Sequence, residues 1–122
     1  MDYEQRAEEL FREGYNCAQA VFLAFACEKM DLDEAAGLAS AFGGGLAGTR
    51  NTCGAVSGLA MAYGLLRGYA DPTDKEAKRA EYEAVREMTE EFAQQNGSII
   101  CRELLGLGRD VNYVPPSDRS TE

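Results

Sequence analysis

"FGGGLAGTRNTCGAVSGLAMAYG", residues 42–64, decides how the chain is read. Three consecutive glycines break whatever element precedes them. After Asn51 or Thr52 the apolar run resumes as a helix to about Tyr69. Between Ala35 and Leu66 the one charged residue is Arg50, so this segment is expected to be largely buried, between other helices or against another subunit. Gly54, Gly58 and Ala62 recur at i, i+4 and i+8. Small residues in that register let a second helix come close and predict a tight crossing.

Working outward, every other segment also reads as helix. From Asp2 to about Glu28, Ala7, Leu10, Phe11, Gly14, Cys17, Ala18, Val21 and Phe25 follow a three-to-four spacing. Gly14 is the place where this stretch kinks or splits. Asp31 is a suitable N-cap for a short helix through Phe42. Beyond residue 70, a turn leads to a charged helix from about Thr73 to Gln95. Its inner face is Ala77, Ala84, Val85, Met88 and Phe92, and Arg79–Glu83 and Arg86–Glu90 are spaced as ion pairs on the outer face. Ser98 is placed to cap a last short helix, "IICRELLG", which Gly106 ends. Residues 108–122 read as an extended, mobile tail. No strand pattern competes, because β-branched residues are sparse and never alternate with polar ones. The prediction is an all-α, single-domain helix bundle of five or six helices over residues 1–107, with a glycine-rich loop before the central helix.

The chain has 122 residues and a net charge of −9. Such acidity disfavours nucleic acid as a partner. No apolar run reaches the roughly 20 residues that span a bilayer, and no Arg/Lys-rich amphipathic helix is present to lie on a membrane. The acidic start "MDYEQRAEEL" is unlike a secretion signal. A cytoplasmic location is therefore expected, where four cysteines read as metal ligands or redox thiols before structural disulfides. Absence of histidine removes the usual imidazole ligand and the base of a Cys–His pair.

The cysteines differ in their surroundings. With Thr52 as N-cap, Cys53 is the first helical residue. Free amides, the positive end of the helix dipole and nearby Arg50 are then expected to stabilise its thiolate. Gly44, Gly45 and Gly54, lacking side chains, would let backbone amides approach an anion or an inorganic cluster. Cys101 falls in the first turn after Ser98. Cys17 lies on the inward stripe of the first helical segment. Cys27, near a helix C-terminus and beside Glu28, reads as core filler. Spacings of 36 and 48 residues between Cys17, Cys53 and Cys101 match no zinc-finger or ferredoxin pattern, so any common site must be assembled by the fold.

"GYNCAQAV" at 14–21, "FGGG" at 42–45, "TCGAVSG" at 52–58 and "GSIICRELLG" at 97–106 together resemble the C_GCAxxG_C_C family, small proteins held to be redox-active on account of four characteristic cysteines. The resemblance runs from about residue 3 to 107. It implies that Cys17, Cys53 and Cys101 take the first three family positions. The fourth family cysteine lies beyond the position of Cys101, where this chain has none, so the site has three cysteines, recruits Cys27, or belongs to a chain that has lost that segment.

Four functions are compatible with these residues. The first is an iron–sulfur protein for electron transfer, with Cys17, Cys53 and Cys101 as ligands and Arg50, Gly44, Gly45 and Gly54 around the cluster. The second is thiol–disulfide chemistry, with Cys53 attacking and Cys17 or Cys101 resolving. The third is a soft-metal binding protein on the same three thiolates. The fourth is a helical interaction module whose cysteines are core residues. An apolar, glycine-studded central segment in a small acidic chain also suggests a homodimer, and no redox partner or substrate is named by the residues.

Overall fold

The computed structural model describes residues 2–106; the segment read as a tail, 108–122, lies outside them. Among the described residues six α-helices follow one another: α1 Tyr3–Glu13, α2 Cys17–Ala26, α3 Leu32–Ala39, α4 Gly54–Arg67, α5 Lys75–Asn96 and α6 Cys101–Leu104. The all-α bundle expected from the periodicity is the observed fold. None of these helices is long and apolar enough to cross a membrane.

The first long segment divides at Gly14. Asp2 caps α1 by accepting from the Gln5 amide, and Gly14 closes it in the left-handed conformation, φ 118°, which only glycine adopts without strain. Asn16 then starts α2 with a reciprocal capping box. Its side chain accepts from the Gln19 amide at 2.8 Å, and the Gln19 side chain accepts from the Asn16 amide at 3.0 Å. Cys17 is consequently the first residue of α2 rather than a mid-helix position on a continuous stripe.

Helix α2 is the core. Ala18, Ala20, Phe22, Leu23, Ala24 and Ala26 are all buried, and α1, α3 and α4 pack around it. Its alanines keep it thin, so three helices reach it closely. The stripe on α4 is one reason: a side chain on Gly58 would meet Ala18 O at 2.8 Å and Val21 Cβ at 3.0 Å. Ala62, one turn on, joins Phe22, Leu23, Ala26, Ala35 and Ala39 in the central cluster. The tight crossing predicted from Gly54, Gly58 and Ala62 is the α2–α4 contact.

Two expectations are corrected. Residues 35–66 are buried on one side only: Ala35, Ala39 and Val56 are inside, whereas Leu38 is 58% and Leu46 47% exposed. The central element is α2, where six residues are buried and against which α1, α3 and α4 all pack. On α5, Arg79 pairs with Glu76 at 3.5 Å rather than with Glu83. Both partners of that pair are exposed, so it adds little stability.

Helix α3 stops at Ala39, and a single 3-10 turn, Ser40–Phe42, leads into the glycines. From Gly44 to Gly48 five successive residues have positive φ, including Leu46 at 74° and Ala47 at 51°. A left-handed turn costs a non-glycine residue about 1–2 kcal/mol. It is held by unusually long-reaching backbone bonds: the amides of Ala47, Gly48, Arg50 and Asn51 donate to the carbonyls of Ala41, Gly43, Gly44 and Gly45 at 2.7–3.1 Å. This coil delivers Arg50 and the start of α4 to one end of the bundle.

Candidate functional site

Two distant pieces of chain meet where the coil ends. Thr52 and Ile100 form an antiparallel bridge. The Cys53 amide donates to Ile99 O at 2.7 Å and the Cys101 amide to Asn51 O at 2.6 Å. Each cysteine is one residue past a bridge partner, so both fall on the same face as diagonal neighbours. Such neighbours have Cα atoms about 7–8 Å apart. A disulfide needs less than about 7 Å, and none of the four cysteines is disulfide-bonded.

The bridge also resets the helix starts. Thr52 is spent on pairing, so Cys53 is the N-cap of α4 and the helix begins at Gly54. The Ser98 hydroxyl accepts from the Ile100 amide at 2.9 Å, and Cys101 becomes the first residue of α6. Cys17, Cys53 and Cys101 thus all stand at helix starts, which the sequence had suggested for two of them. The signal for the third was present: Asn16 and Gln19 are spaced as a capping box.

Cys17 reaches this end of the bundle from the other side. A side chain on Gly54 would collide with Cys17 Sγ, and would lie 3.0 Å from both Ala18 N and Phe42 O. A side chain on Gly45 would lie 2.7 Å from Cys101 Cβ. The space beside these two glycines is therefore filled by the chain itself, chiefly Cys17 Sγ at Gly54 and Arg50 Cα, Asn51 N and Cys101 Cβ at Gly45, whereas the sequence reading reserved it for a bound group. Gly44, Gly45 and Gly54 are all buried.

Arg50 is completely buried. Its backbone is left-handed, φ 63°, and its guanidinium Nη1 donates to Cys101 Sγ at 3.7 Å. The cation therefore attends Cys101, not Cys53. Burial pushes the Cys53 thiol above its ordinary range. The amides of Ala55 and Val56 draw it down by less, and a negative charge on Cys101 pushes it up further. The expected lowering at Cys53 is overturned, because desolvation of a thiolate outweighs two amides at a helix start.

A raised thiol pKa has a definite sign. Any stability from the neutral Cys53 is complete below the pKa of the unfolded thiol and is lost as pH rises through the folded value. In reduced, metal-free protein retaining only Cys53, iodoacetamide labelling is expected to begin at higher pH than for a free cysteine in an unfolded peptide. Labelling at or below that pH would reverse the ranking of burial over dipole.

Cys27 stands apart. It follows the last turn of α2, about 15 Å from Cys17 at 1.5 Å per residue, and the Arg6 guanidinium donates to its sulfur. No sequence pattern links Arg6 to Cys27, which are joined only by the packing of α1 on α2. Among the described residues, no three His, Cys, Asp or Glu side chains are grouped as a metal site.

No curated protein and no solved structure matches the chain. The family described as "Putative redox-active protein (C_GCAxxG_C_C)" matches residues 15–121. That span begins after α1 and includes the coil, the Thr52–Ile100 bridge and Cys17, Cys53 and Cys101. The chain belongs to the C_GCAxxG_C_C family.

Proposed function

We propose that the protein is an electron-transfer protein whose redox centre is an iron–sulfur cluster ligated by Cys17, Cys53 and Cys101. The observation that carries this reading is the diagonal placement of Cys53 and Cys101 on one face of the Thr52–Ile100 bridge, with buried Arg50 on the Cys101 sulfur. The donor set fits the group. Thiolates are its usual ligands, and a multi-iron cluster accepts them at wider separations than a single ion does. When bound, the cluster supplies reversible one-electron transfer.

The chain's own residues would then act as follows. Cys17, Cys53 and Cys101 provide three thiolates, leaving one iron position for an oxygen ligand. Arg50, fully buried beside the Cys101 sulfur, would offset part of their negative charge. The amides of Ala55 and Val56, at the positive end of α4, do the same for Cys53. Gly45 and Gly54 keep the backbone close enough for Cys101 and Cys17 to enter.

The alternative with Cys53 as an attacking thiolate is less well supported. An attacking thiolate needs a depressed pKa, and burial acts the other way at Cys53. Metal ligation removes the thiol proton outright, so the same burial is no obstacle to a ligand.

The test is anaerobic reconstitution with ferrous iron and sulfide. Wild-type protein is expected to turn brown and hold iron and acid-labile sulfide in matching amounts. Cys17→Ala, Cys53→Ala and Cys101→Ala should each lose most of the iron, and Cys27→Ala should retain it. Colourless wild-type protein, or equal iron retention in all four variants, would defeat the proposal.

A further inference from the structure

Helix α5 is the longest of the described helices, yet none of its residues is buried. It packs chiefly on α4, with Val85, Met88 and Phe92 beside Val56, Leu59 and Ala60. One flank of that joint stays uncovered. There Ala60, Glu81, Tyr82, Val85 and Arg86 line an open recess of about 390 Å³. Tyr82 is 53% exposed beside it, and the Lys78 ammonium lies 5.5 Å from the centre of its ring. Glu81 is spent on the Tyr69 amide, at 2.8 Å. A recess and a projecting aromatic ring thus share one turn of helix.

The flank continues along α5 at helical spacing as Arg79, Tyr82, Arg86, Glu90 and Ala93. Charge is segregated along the helix. Residues 75–79 carry three cations and one anion, and residues 87–91 carry three anions and no cation. An antiparallel copy of α5 therefore meets opposite charge at both ends, whereas a parallel copy meets like charge. Arg86 and Glu90 form no ion pair among the described residues. Arg79 bonds Glu76 at 3.5 Å in exposed positions and keeps further N–H groups for a second carboxylate. The chain as a whole carries −9, so two copies repel least where this basic end is presented.

We propose that this flank is a homodimer interface, in which a second copy lays its α5 antiparallel across a two-fold axis at the level of Ala84. Tyr82 of each copy enters the recess of the other and meets its Arg86, a cation over an aromatic ring. Arg79 of each copy faces Glu90 of the other. Both pairs centre on the same level of the helix, as a single two-fold axis requires, and each contact occurs twice. A second copy is the occupant because ring, recess, cation and carboxylate all belong to one surface. Helix α5 has 22 residues, a length of about 33 Å. One helix pair of that length buries less than the roughly 1,200 Å² of a stable complex, so the dimer is weak and exchanges. None of these residues belongs to the thiol site, and the inference is independent of the cluster reading.

The experiment is sedimentation equilibrium of the full-length, reduced, iron-free protein from about 10 μM to about 1 mM, the range in which a small interface associates. A monomer–dimer equilibrium is expected. Tyr82→Ala should weaken it by about tenfold or more. Arg79→Glu sets carboxylate against carboxylate twice and should weaken it by a similar factor. Adding Glu90→Arg to Arg79→Glu restores opposite charges and should bring the affinity back to within about threefold of wild type. All three positions are exposed, and circular dichroism checks that each variant folds. A monomer at every concentration, association beyond the dimer, a dimer indifferent to Tyr82→Ala and Arg79→Glu, or a double variant no tighter than Arg79→Glu alone would each overturn the proposal.

Discussion

Gly54→Ala is expected to destabilise the protein by about 2–3 kcal/mol, the upper part of the usual range for a forced contact in a packed core. In a domain of this size that corresponds to a fall in Tm on the order of 10 °C. Gly54 begins α4, so its backbone is unstrained and the cost is one of space. The added methyl would fall on Cys17 Sγ and approach the backbone atoms Ala18 N and Phe42 O to 3.0 Å. Only the sulfur can turn away. Cys17→Ala combined with Gly54→Ala should therefore recover part of the loss, with a coupling of about 1 kcal/mol. Urea unfolding of the two single variants and the double variant measures that coupling. An unchanged midpoint in Gly54→Ala would mean that α2 and α4 do not meet as closely as described.

Arg50→Met is expected to have a comparable or larger effect, about 3 kcal/mol, because a fully buried guanidinium is removed from a hydrogen-bonded setting. Methionine keeps the length of the stem and avoids β-branching at a residue with φ 63°. Arg50→Val should be worse by about 1–2 kcal/mol, since a β-branched residue is strained in that conformation. The backbone of Arg50 also ties the coil to α6: its amide donates to Gly44 O at 2.9 Å, and its carbonyl accepts from the Arg102 amide at 3.1 Å. Strain at this residue would therefore weaken the hydrogen bond to Arg102 that helps hold the start of α6. Denaturant midpoints for Met and Val variants test both parts, and a Met variant within about 0.5 kcal/mol of wild type would show that the buried cation is dispensable for folding.

The two predictions probe parts of the molecule that were unequally visible in the residues. The closeness of the α2–α4 crossing is signalled locally by Gly54, Gly58 and Ala62, one small residue per turn of α4, and the Asn16–Gln19 box sets Cys17 at the start of α2. Allocation of Arg50 is different. Three residues from Cys53 in sequence, it hydrogen-bonds Cys101, 51 residues away. Proximity along the chain pointed to the wrong thiol.

The residues by themselves determined the helices, because the signals for helices are local. Asp31 accepts from an amide three residues on, Gly14 and Gly97 take left-handed φ values that end helices, and apolar spacing marks the faces that pack. They also determined the family, through cysteines in a recognisable order. Tertiary structure alone decided the run of positive φ from Gly44 to Gly48, since Leu46 and Ala47 adopt that conformation only when the carbonyls of Ala41, Gly43, Gly44 and Gly45 hold the coil closed. It decided the Thr52–Ile100 bridge, which pairs residues 48 positions apart and moves two helix starts. It decided the direction of the Cys53 pKa as well. A helix dipole can be read from one segment, but desolvation depends on every segment that comes to cover the sulfur.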